Sequence, residues 1–126
     1  MPLYQVLAQE GSLSDAQRDQ IAQGITDIHL DLAGGLRQFV NVVFQLYPAG
    51  CGYNGGAVGT PMVIGGSIRA GRDQTTKTAM LEAISALAMR VSNISPKDLT
   101  VSIGDVKASN AMEGGQILPE LSLIHI

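Results

Sequence analysis

The sequence predicts an α/β (α+β) domain in which a four-stranded sheet carries two helices on one face. Two observations lead to this prediction. Amphipathic helical stretches alternate with β-rich stretches, and the second half of the chain repeats the first at an offset of 59 residues. The chain has 126 residues, which is the size of a single domain with one buried core. A duplicated β-α-β unit explains both the length and the pattern.

The first repeat begins with a short strand at residues 3–9, LYQVLAQ. Ser14 offers a side-chain oxygen that caps the helix following it. Spacings of four, three and four positions give this helix one apolar face, which consists of Ile21, Ile25, Ile28 and Leu32. Gly34 ends the helix, and residues 39–46, FVNVVFQL, form the second strand.

The second repeat has the same order of elements. After a glycine-rich connection at residues 49–59, the sequence predicts a strand at 61–68, a helix at about 73–92 and a strand at 99–103. The apolar face of this helix consists of Met80, Ile84, Leu87 and Val91. Adding 59 to the four positions of the first helix gives these four without a gap. The same shift carries Pro2 onto Pro61, so the two halves follow one plan.

The repeat also predicts how the chain is organised. We expect one domain over residues 1–120, built from repeats at about 2–58 and 61–113, and a tail at 121–126 that is foreign to it. Two right-handed crossovers in one sheet place both helices on the same face. Since 45% of the residues are apolar, we expect a second subunit to cover the other face.

Composition excludes several classes of protein. A net charge of −3 does not favour binding to a phosphate backbone, and a chain with no Trp, three Tyr and two Phe is poorly suited to stacking on nucleic-acid bases. No apolar run approaches the roughly 18 residues that a membrane helix needs. The single cysteine, Cys51, excludes an internal disulfide framework and fits a reducing compartment. We therefore expect a cytoplasmic protein that binds neither nucleic acid nor membrane.

Residues 50–55, GCGYNG, match the dinucleotide-binding pattern G-x-G-x-x-G after a predicted strand. In that motif a helix begins at the glycines and directs its N-terminus at a pyrophosphate. Here the sequence continues with a loop and another strand. A nucleotide-binding module is therefore the least favoured interpretation, because it lacks this helix.

Pro2 is the most informative single residue. Proline is ordinary at the start of a strand, because its missing N–H lies outside the ladder. If Met1 is removed, however, Pro2 becomes a rigid secondary amine with a pKa of roughly 7.7–8.0, and an apolar site would lower that pKa further. Such an amine is a usable general acid or base at cellular pH. Pro61 is internal and has only a structural role.

Four further residues are candidates for a site. Arg69 and Arg72 flank a glycine in IRAGR, and two guanidinium groups at this spacing suit pairing with a small carboxylate. The alternative is that both are solvated loop arginines. His29 lies at the boundary of its helix's apolar face, where a histidine is usually a half-buried packing residue. Glu113 is a lone acid beside two glycines and says nothing by itself.

Taken together, these residues resemble the tautomerase superfamily, and most closely its cis-3-chloroacrylic acid dehalogenase-like group, whose members use an amino-terminal proline. The segments that carry the resemblance are MPLY at 1–4, ITDIH at 25–29, FQLYPAG at 44–50, RAGR at 69–72 and MEGGQILP at 112–119. The resemblance covers the chain to about residue 119. It implies a homotrimer whose sheets face inward around a threefold axis, and it implies no cofactor or metal.

The resemblance also implies roles for individual residues. Pro2 is the catalytic amine, Arg69 and Arg72 bind and polarise the substrate carboxylate, His29 assists them, and Glu113 activates water. One position departs from the family. Its dehalogenases and hydratases place a tyrosine on the last core strand to position that water, whereas this chain has Ser102 there. A serine hydroxyl is shorter and far less acidic than a phenol, which counts against efficient dehalogenation.

We therefore expect an isomerase, a promiscuous keto-enol tautomerase acting on small unsaturated or 2-keto carboxylic acids. The alternative within the same family is a cis-3-chloroacrylic acid dehalogenase or hydratase, a hydrolase. The alternative from another class is a non-catalytic trimeric binding protein with this fold. Retention of Met1 would favour that last alternative, because the proline nitrogen would then be blocked.

Overall fold

The structure of the protein is a computed structural model in which residues 2–121 are described. Met1 lies outside the described residues, as do residues 122–126 of the expected tail, including His125. The elements, in chain order, are β1 (Leu3–Gln9), α1 (Asp15–Ala33), β2 (Asn41–Tyr47), β3 (Tyr53–Asn54), β4 (Ala57–Val58), β5 (Met62–Arg69), α2 (Gln74–Ser92), β6 (Leu99–Val106), β7 (Met112–Glu113) and β8 (Gln116–Ile117).

Four of the strands form one mixed sheet with the order β2-β1-β5-β6. The two central strands are antiparallel, with Leu3 opposite Ser67. Each central strand has a parallel neighbour on its outer side, β2 beside β1 and β6 beside β5. Because each parallel pair is joined by one helix, the sheet is two β-α-β units related by an approximate twofold axis. The predicted fold class is therefore confirmed.

Both helices cover one face of the sheet. Residues of the strands that point to this side are fully buried, for example Val6 of β1 and Ile64 of β5, and they pack against Ile21 and Ile84 of the helices. On the other face, Leu7 is 39% exposed and Val43 is 47% exposed. Burial thus alternates along the strands, and residues 2–121 leave one face of the sheet uncovered.

The first helix is rotated relative to the prediction. Its buried residues form a row with a constant spacing of four, namely Ile21, Ile25, His29 and Ala33. Leu32, predicted to be on the apolar face, is 41% exposed, whereas His29, predicted at the boundary, is only 2% exposed. The prediction was wrong because it counted apolar side chains. The structure buries His29 through a polar partner, which periodicity does not reveal.

Two short hairpins were not predicted. In β3–β4 the turn consists of Gly55 and Gly56, with φ of 56° and 84°, and in β7–β8 it consists of Gly114 and Gly115, with φ of 59° and 82°. Two consecutive positive φ values favour glycine, and two-residue turns of this kind join antiparallel strands. The 59-residue shift carries one hairpin onto the other, so each repeat is β-α-β followed by a hairpin.

Candidate active site

Most of the predicted site residues lie at one end of the sheet. This end contains the start of β1, the start of β2 and the end of β5, because β1 and β5 run in opposite directions. Pro2 immediately precedes β1, and Arg69 is the last residue of β5. The C-terminus of α1 reaches the same end, where the carbonyl oxygen of Ala33 accepts a hydrogen bond from Arg72. We call this region the Pro2 end of the sheet.

Pro2 is half-buried, and its position is fixed from two sides. Its carbonyl oxygen accepts a hydrogen bond from the backbone N–H of Asn41 over 2.9 Å. Its ring restricts φ to a narrow range. The nitrogen of Pro2 is therefore held at a defined place at the edge of the core.

The two arginines are held differently. The guanidinium of Arg72 donates from Nη1 to the carbonyl oxygen of Arg69 over 3.0 Å, and from Nη2 to that of Ala33 over 2.9 Å. Burial and the charge of Arg69 both lower the pKa of Arg72 from its usual value. In contrast, Nε of Arg69 is buried and has no hydrogen-bond partner among residues 2–121. A buried donor without a partner is costly, and an anion would satisfy it.

Gly71, between the two arginines, has a φ of 131°, which a residue with a side chain rarely adopts. A Cβ at this position would lie 2.7 Å from Cδ1 of Leu121. Leu121 therefore packs against the backbone of the arginine loop.

His29 is paired with Tyr4 inside the core. The distance between Nδ1 of His29 and the hydroxyl oxygen of Tyr4 is 2.7 Å, and the two rings meet edge to face with centroids 5.7 Å apart. Burial lowers the pKa of His29 to about 4, and the positive charge of Arg72 lowers it in the same direction. Burial also raises the pKa of Tyr4 well above its usual range, although the charge of Arg72 opposes this. Both side chains are therefore neutral at pH 7.

Tyr4 is a site residue that the sequence analysis missed. Its side chain is 0% exposed and needs the space left by Gly66 on β5, where a Cβ would lie 2.6 Å from Cε1 of Tyr4. A tyrosine two positions after Pro2, alternating onto the helix-covered side with Val6, is a signal in the sequence. The pattern identifies Tyr4 as a core residue, but only the structure shows that its hydroxyl meets His29.

The other two predicted site residues are placed differently. Glu113 is half-buried on β7, in the hairpin that follows the end of β6 nearest Arg69. Ser102 is exposed on β6, opposite Gly65, and points to the sheet face that carries no helices. Tyr4 and His29 lie on the covered face. Within one chain, the sheet itself thus separates Ser102 from the Tyr4–His29 pair.

The opposite end of the sheet has lost the equivalent side chains. The 59-residue shift relates Arg69 to Glu10, Arg72 to Leu13 and His29 to Ala88. Pro61, which corresponds to Pro2, is internal, and its carbonyl oxygen accepts a hydrogen bond from the hydroxyl of Tyr47 over 2.6 Å. The duplication thus keeps one set of these side chains, at the Pro2 end.

The glycine-rich stretch at 50–55 does not form a phosphate loop. It leads into the β3–β4 hairpin, and no helix begins at these glycines. Cys51, in this stretch, is exposed and has a free thiol. Within residues 2–121, His, Cys, Asp and Glu side chains do not gather in groups of three or more that could hold a metal ion. None of the described helices is both long and apolar enough to cross a membrane.

Comparisons with known proteins identify the family and the fold. Residues 1–121 match the family described as "Putative oxalocrotonate tautomerase enzyme". The crystal structure of native Ps01740 is 39% identical and has a TM-score of 0.87, over 88% of this chain and 99% of that one. The crystal structure of N1, a member of the cis-3-chloroacrylic acid dehalogenase family, is 29% identical with a TM-score of 0.86, over 94% of this chain and 84% of that one.

A third structure, an asymmetric trimer of wild-type fused 4-OT named F6, is 23% identical and shares the fold, with a TM-score of 0.85 over 91% of this chain and 94% of that one. Among curated proteins, no match was found. The family match spans nearly the whole chain, and it confirms the resemblance to the tautomerase superfamily. The chain therefore belongs to the oxalocrotonate tautomerase family just described, within the tautomerase superfamily.

Proposed function

We propose that the protein is an enzyme that uses the amino group of Pro2, after removal of Met1, as a general acid and base on small unsaturated or 2-keto carboxylic acids. One observation carries the proposal. A half-buried proline at the start of β1 shares an end of the sheet with Arg69, whose Nε is buried and unpartnered. A proton-transferring amine and an anion-binding donor are what the isomerisation of such an acid requires.

Keto-enol tautomerisation is the reaction that we favour. Neutral Pro2 removes the proton from the enol hydroxyl, so that the O–H bond breaks as the carbonyl forms. The resulting secondary ammonium then donates that proton to carbon, which forms the C–H bond and restores the amine. The nearby cations Arg69 and Arg72 disfavour a positive charge on Pro2, so the amine is neutral often enough to act as a base at cellular pH.

The carboxylate of the substrate is the partner that Arg69 lacks. A charge-assisted hydrogen bond from Nε would satisfy the buried donor and fix the position of the substrate relative to Pro2. Arg72 retains N–H groups beyond the two that are directed at carbonyl oxygens, and its charge adds to the attraction. Arg69 is thus the principal carboxylate contact, and Arg72 contributes from a position fixed by the backbone.

Dehalogenation or hydration of a cis-3-haloacrylate is the second candidate, and the similarity to N1 supports it. In this reaction cationic Pro2 protonates C2, while Glu113 takes a proton from the water that adds to the halogen-bearing C3. The resulting halohydrin then loses its hydroxyl proton and the halide to leave an aldehyde. The serine at position 102 argues against it, because a short hydroxyl on the uncovered sheet face takes the place of the family's phenol. For this reason we favour tautomerisation.

We also propose that the protein is a homotrimer. The uncovered sheet face carries partly exposed apolar residues such as Leu7 and Val43, and similar folds assemble as trimers. In such an assembly the exposed Ser102 would face a neighbouring subunit. Light scattering should give about three times 13.2 kDa. A monodisperse monomer would contradict the assembly.

The activity is tested by intact mass followed by a substrate panel. We expect the purified protein to begin at Pro2 and to accelerate tautomerisation of the enol of phenylpyruvate or of 2-hydroxymuconate. Cis- and trans-3-haloacrylates, followed by halide release, test the second candidate. An intact Met1 in fully active protein would refute the amine mechanism. A trimer that binds these acids but converts none would instead be the non-catalytic binding protein.

A further inference from the structure

We propose that Tyr4 is a positioning residue that holds His29 in the neutral tautomer with its proton on Nε2, so that His29 donates a hydrogen bond at the Pro2 end of the sheet. The inference deepens the proposed function and rests on it, since the acceptor is an oxygen of the bound acid. In this mechanism Tyr4 acts through another side chain, that of His29.

The hydrogen bond determines which atom carries the proton. The hydroxyl of Tyr4 is fully buried, and within residues 2–121 its one hydrogen-bond partner is Nδ1 of His29. A buried hydroxyl hydrogen needs an acceptor, so the phenol donates and Nδ1 accepts. The single proton of a neutral imidazole must then be on Nε2.

The surrounding charges keep His29 neutral. The charge of Arg72, from the loop before α2, disfavours a second proton on the ring, and the Tyr4 phenol on β1 remains un-ionised. Burial acts in the same direction. His29 is therefore a neutral donor over the pH range in which an ordinary histidine would become a cation.

The fold provides a specific place for the phenol. Gly66, opposite Tyr4 across the β1–β5 pair, leaves the space that the Tyr4 ring occupies. The planes of the two rings meet at 72°, in an edge-to-face arrangement. The ring of Tyr4 has little freedom to turn its hydroxyl elsewhere, so the orientation of His29 is set by the sheet.

The test combines tautomer detection with kinetics. Nitrogen-15 NMR of histidine-labelled protein should show, for His29 in the wild type, a protonated Nε2 and an unprotonated Nδ1 between pH 5 and 8. The variant His125→Gln identifies the signal, since the chain has two histidines. This measurement needs no activity. A wild-type signal with the proton on Nδ1, or an imidazolium near pH 6, would overturn the proposal whether or not the enzyme is a tautomerase.

The kinetic arm uses Tyr4→Phe, which keeps the ring and removes the hydroxyl. We expect the proton of His29 to distribute over both nitrogens and kcat/KM to fall by about 3- to 10-fold, the effect of one hydrogen bond. Tyr53→Phe is the matched control, because Tyr53 is 59% exposed, and it should change neither quantity. An unchanged tautomer in folded Tyr4→Phe would refute the proposal.

The variant His29→Gln distinguishes two roles of Tyr4, positioning the His29 proton and packing in the core. The terminal amide nitrogen of glutamine can take the place of Nε2 and does not depend on a tautomer. We expect Tyr4→Phe to lower kcat/KM less in the His29→Gln background than in the wild type. Equal losses in the two backgrounds would mean that Tyr4 acts on the fold rather than through His29. Failure of the proposed function would be recognised separately, by Pro2→Ala having the activity of the wild type.

Discussion

The sharpest prediction compares the two arginines, because the structure gives them opposite effects on stability. In Arg69→Met the long side chain is kept, while a buried donor without a partner is removed. In Arg72→Met two hydrogen bonds from the guanidinium to the carbonyl oxygens of Arg69 and Ala33 are lost. We expect both variants to lose activity, but only Arg72→Met to lose stability.

The expected magnitudes follow from these contacts. A hydrogen bond to a charged group contributes about 1.5–3 kcal/mol, so loss of the carboxylate contact should lower kcat/KM by roughly 10- to 150-fold in Arg69→Met. The free energy of unfolding of this variant should be unchanged or higher. In Arg72→Met the free energy of unfolding should fall by roughly 2–4 kcal/mol, because two carbonyl oxygens lose a charged hydrogen-bond donor. The expected loss is smaller than the sum for two such bonds because Arg72 is only half-buried.

The assay is chemical denaturation at one protein concentration, since association contributes to the stability of an oligomer. Added acrylate, a small unsaturated carboxylate, should stabilise the wild type and should not stabilise Arg69→Met. Equal destabilisation of the two variants would show that Nε of Arg69 is satisfied in the assembled protein, and the reasoning about a vacant donor would then be wrong. Arg72→Lys is the control for charge, because it keeps the cation but not the two-pronged geometry.

Three further predictions concern single groups. Pro2→Ala should fold and assemble normally but lower kcat by about 10²–10⁴-fold, because the rigid secondary amine is replaced; wild-type rates would exclude an amine mechanism. The pKa of His29 is about 4 in the folded state and about 6.5 in the unfolded chain, so the unfolded chain binds a proton first as the pH falls. The free energy of unfolding should therefore decline by roughly 2–3 kcal/mol between pH 6.5 and pH 4. Denaturation across this range should show a smaller decline in His29→Gln, and equal slopes would contradict the assigned pKa. Ser102→Tyr should raise halide release from cis-3-haloacrylate relative to tautomerisation, provided that the trimer is retained; a folded, active variant with no such rise would show that Ser102 does not set the specificity.

The sequence by itself determined the framework of this protein. The strand predicted at residues 3–9 coincides with β1, and the helix predicted at about 73–92 coincides with α2 to within one residue. These elements were predictable because the side-chain period of a strand or helix is a local property. The 59-residue repeat then predicted the sheet and the side that the helices cover, since a β-α-β unit has one handedness.

The sequence also identified candidate site residues, through the family resemblance as much as through chemistry. Pro2, Arg69 and Arg72 lie at one end of the sheet, and their catalytic roles are predictions. The two hairpins were missed even though each has a Gly-Gly turn signal. Strands of two residues are too short to show any period, so only the pairing across the turn reveals them.

Only the tertiary structure decided how the site residues are partnered. His29 was predicted at a helix boundary and is in fact buried, because a phenol from a strand 25 positions earlier meets its ring. Arg69 and Arg72 have the same side chain and lie only three positions apart. Arg72 donates to two carbonyl oxygens, whereas Nε of Arg69 is buried and has no hydrogen-bond partner among residues 2–121. Hydrogen bonds between elements that are distant in the sequence depend on where the folded backbone places the donor and acceptor atoms. The local pattern of residue types does not determine those positions.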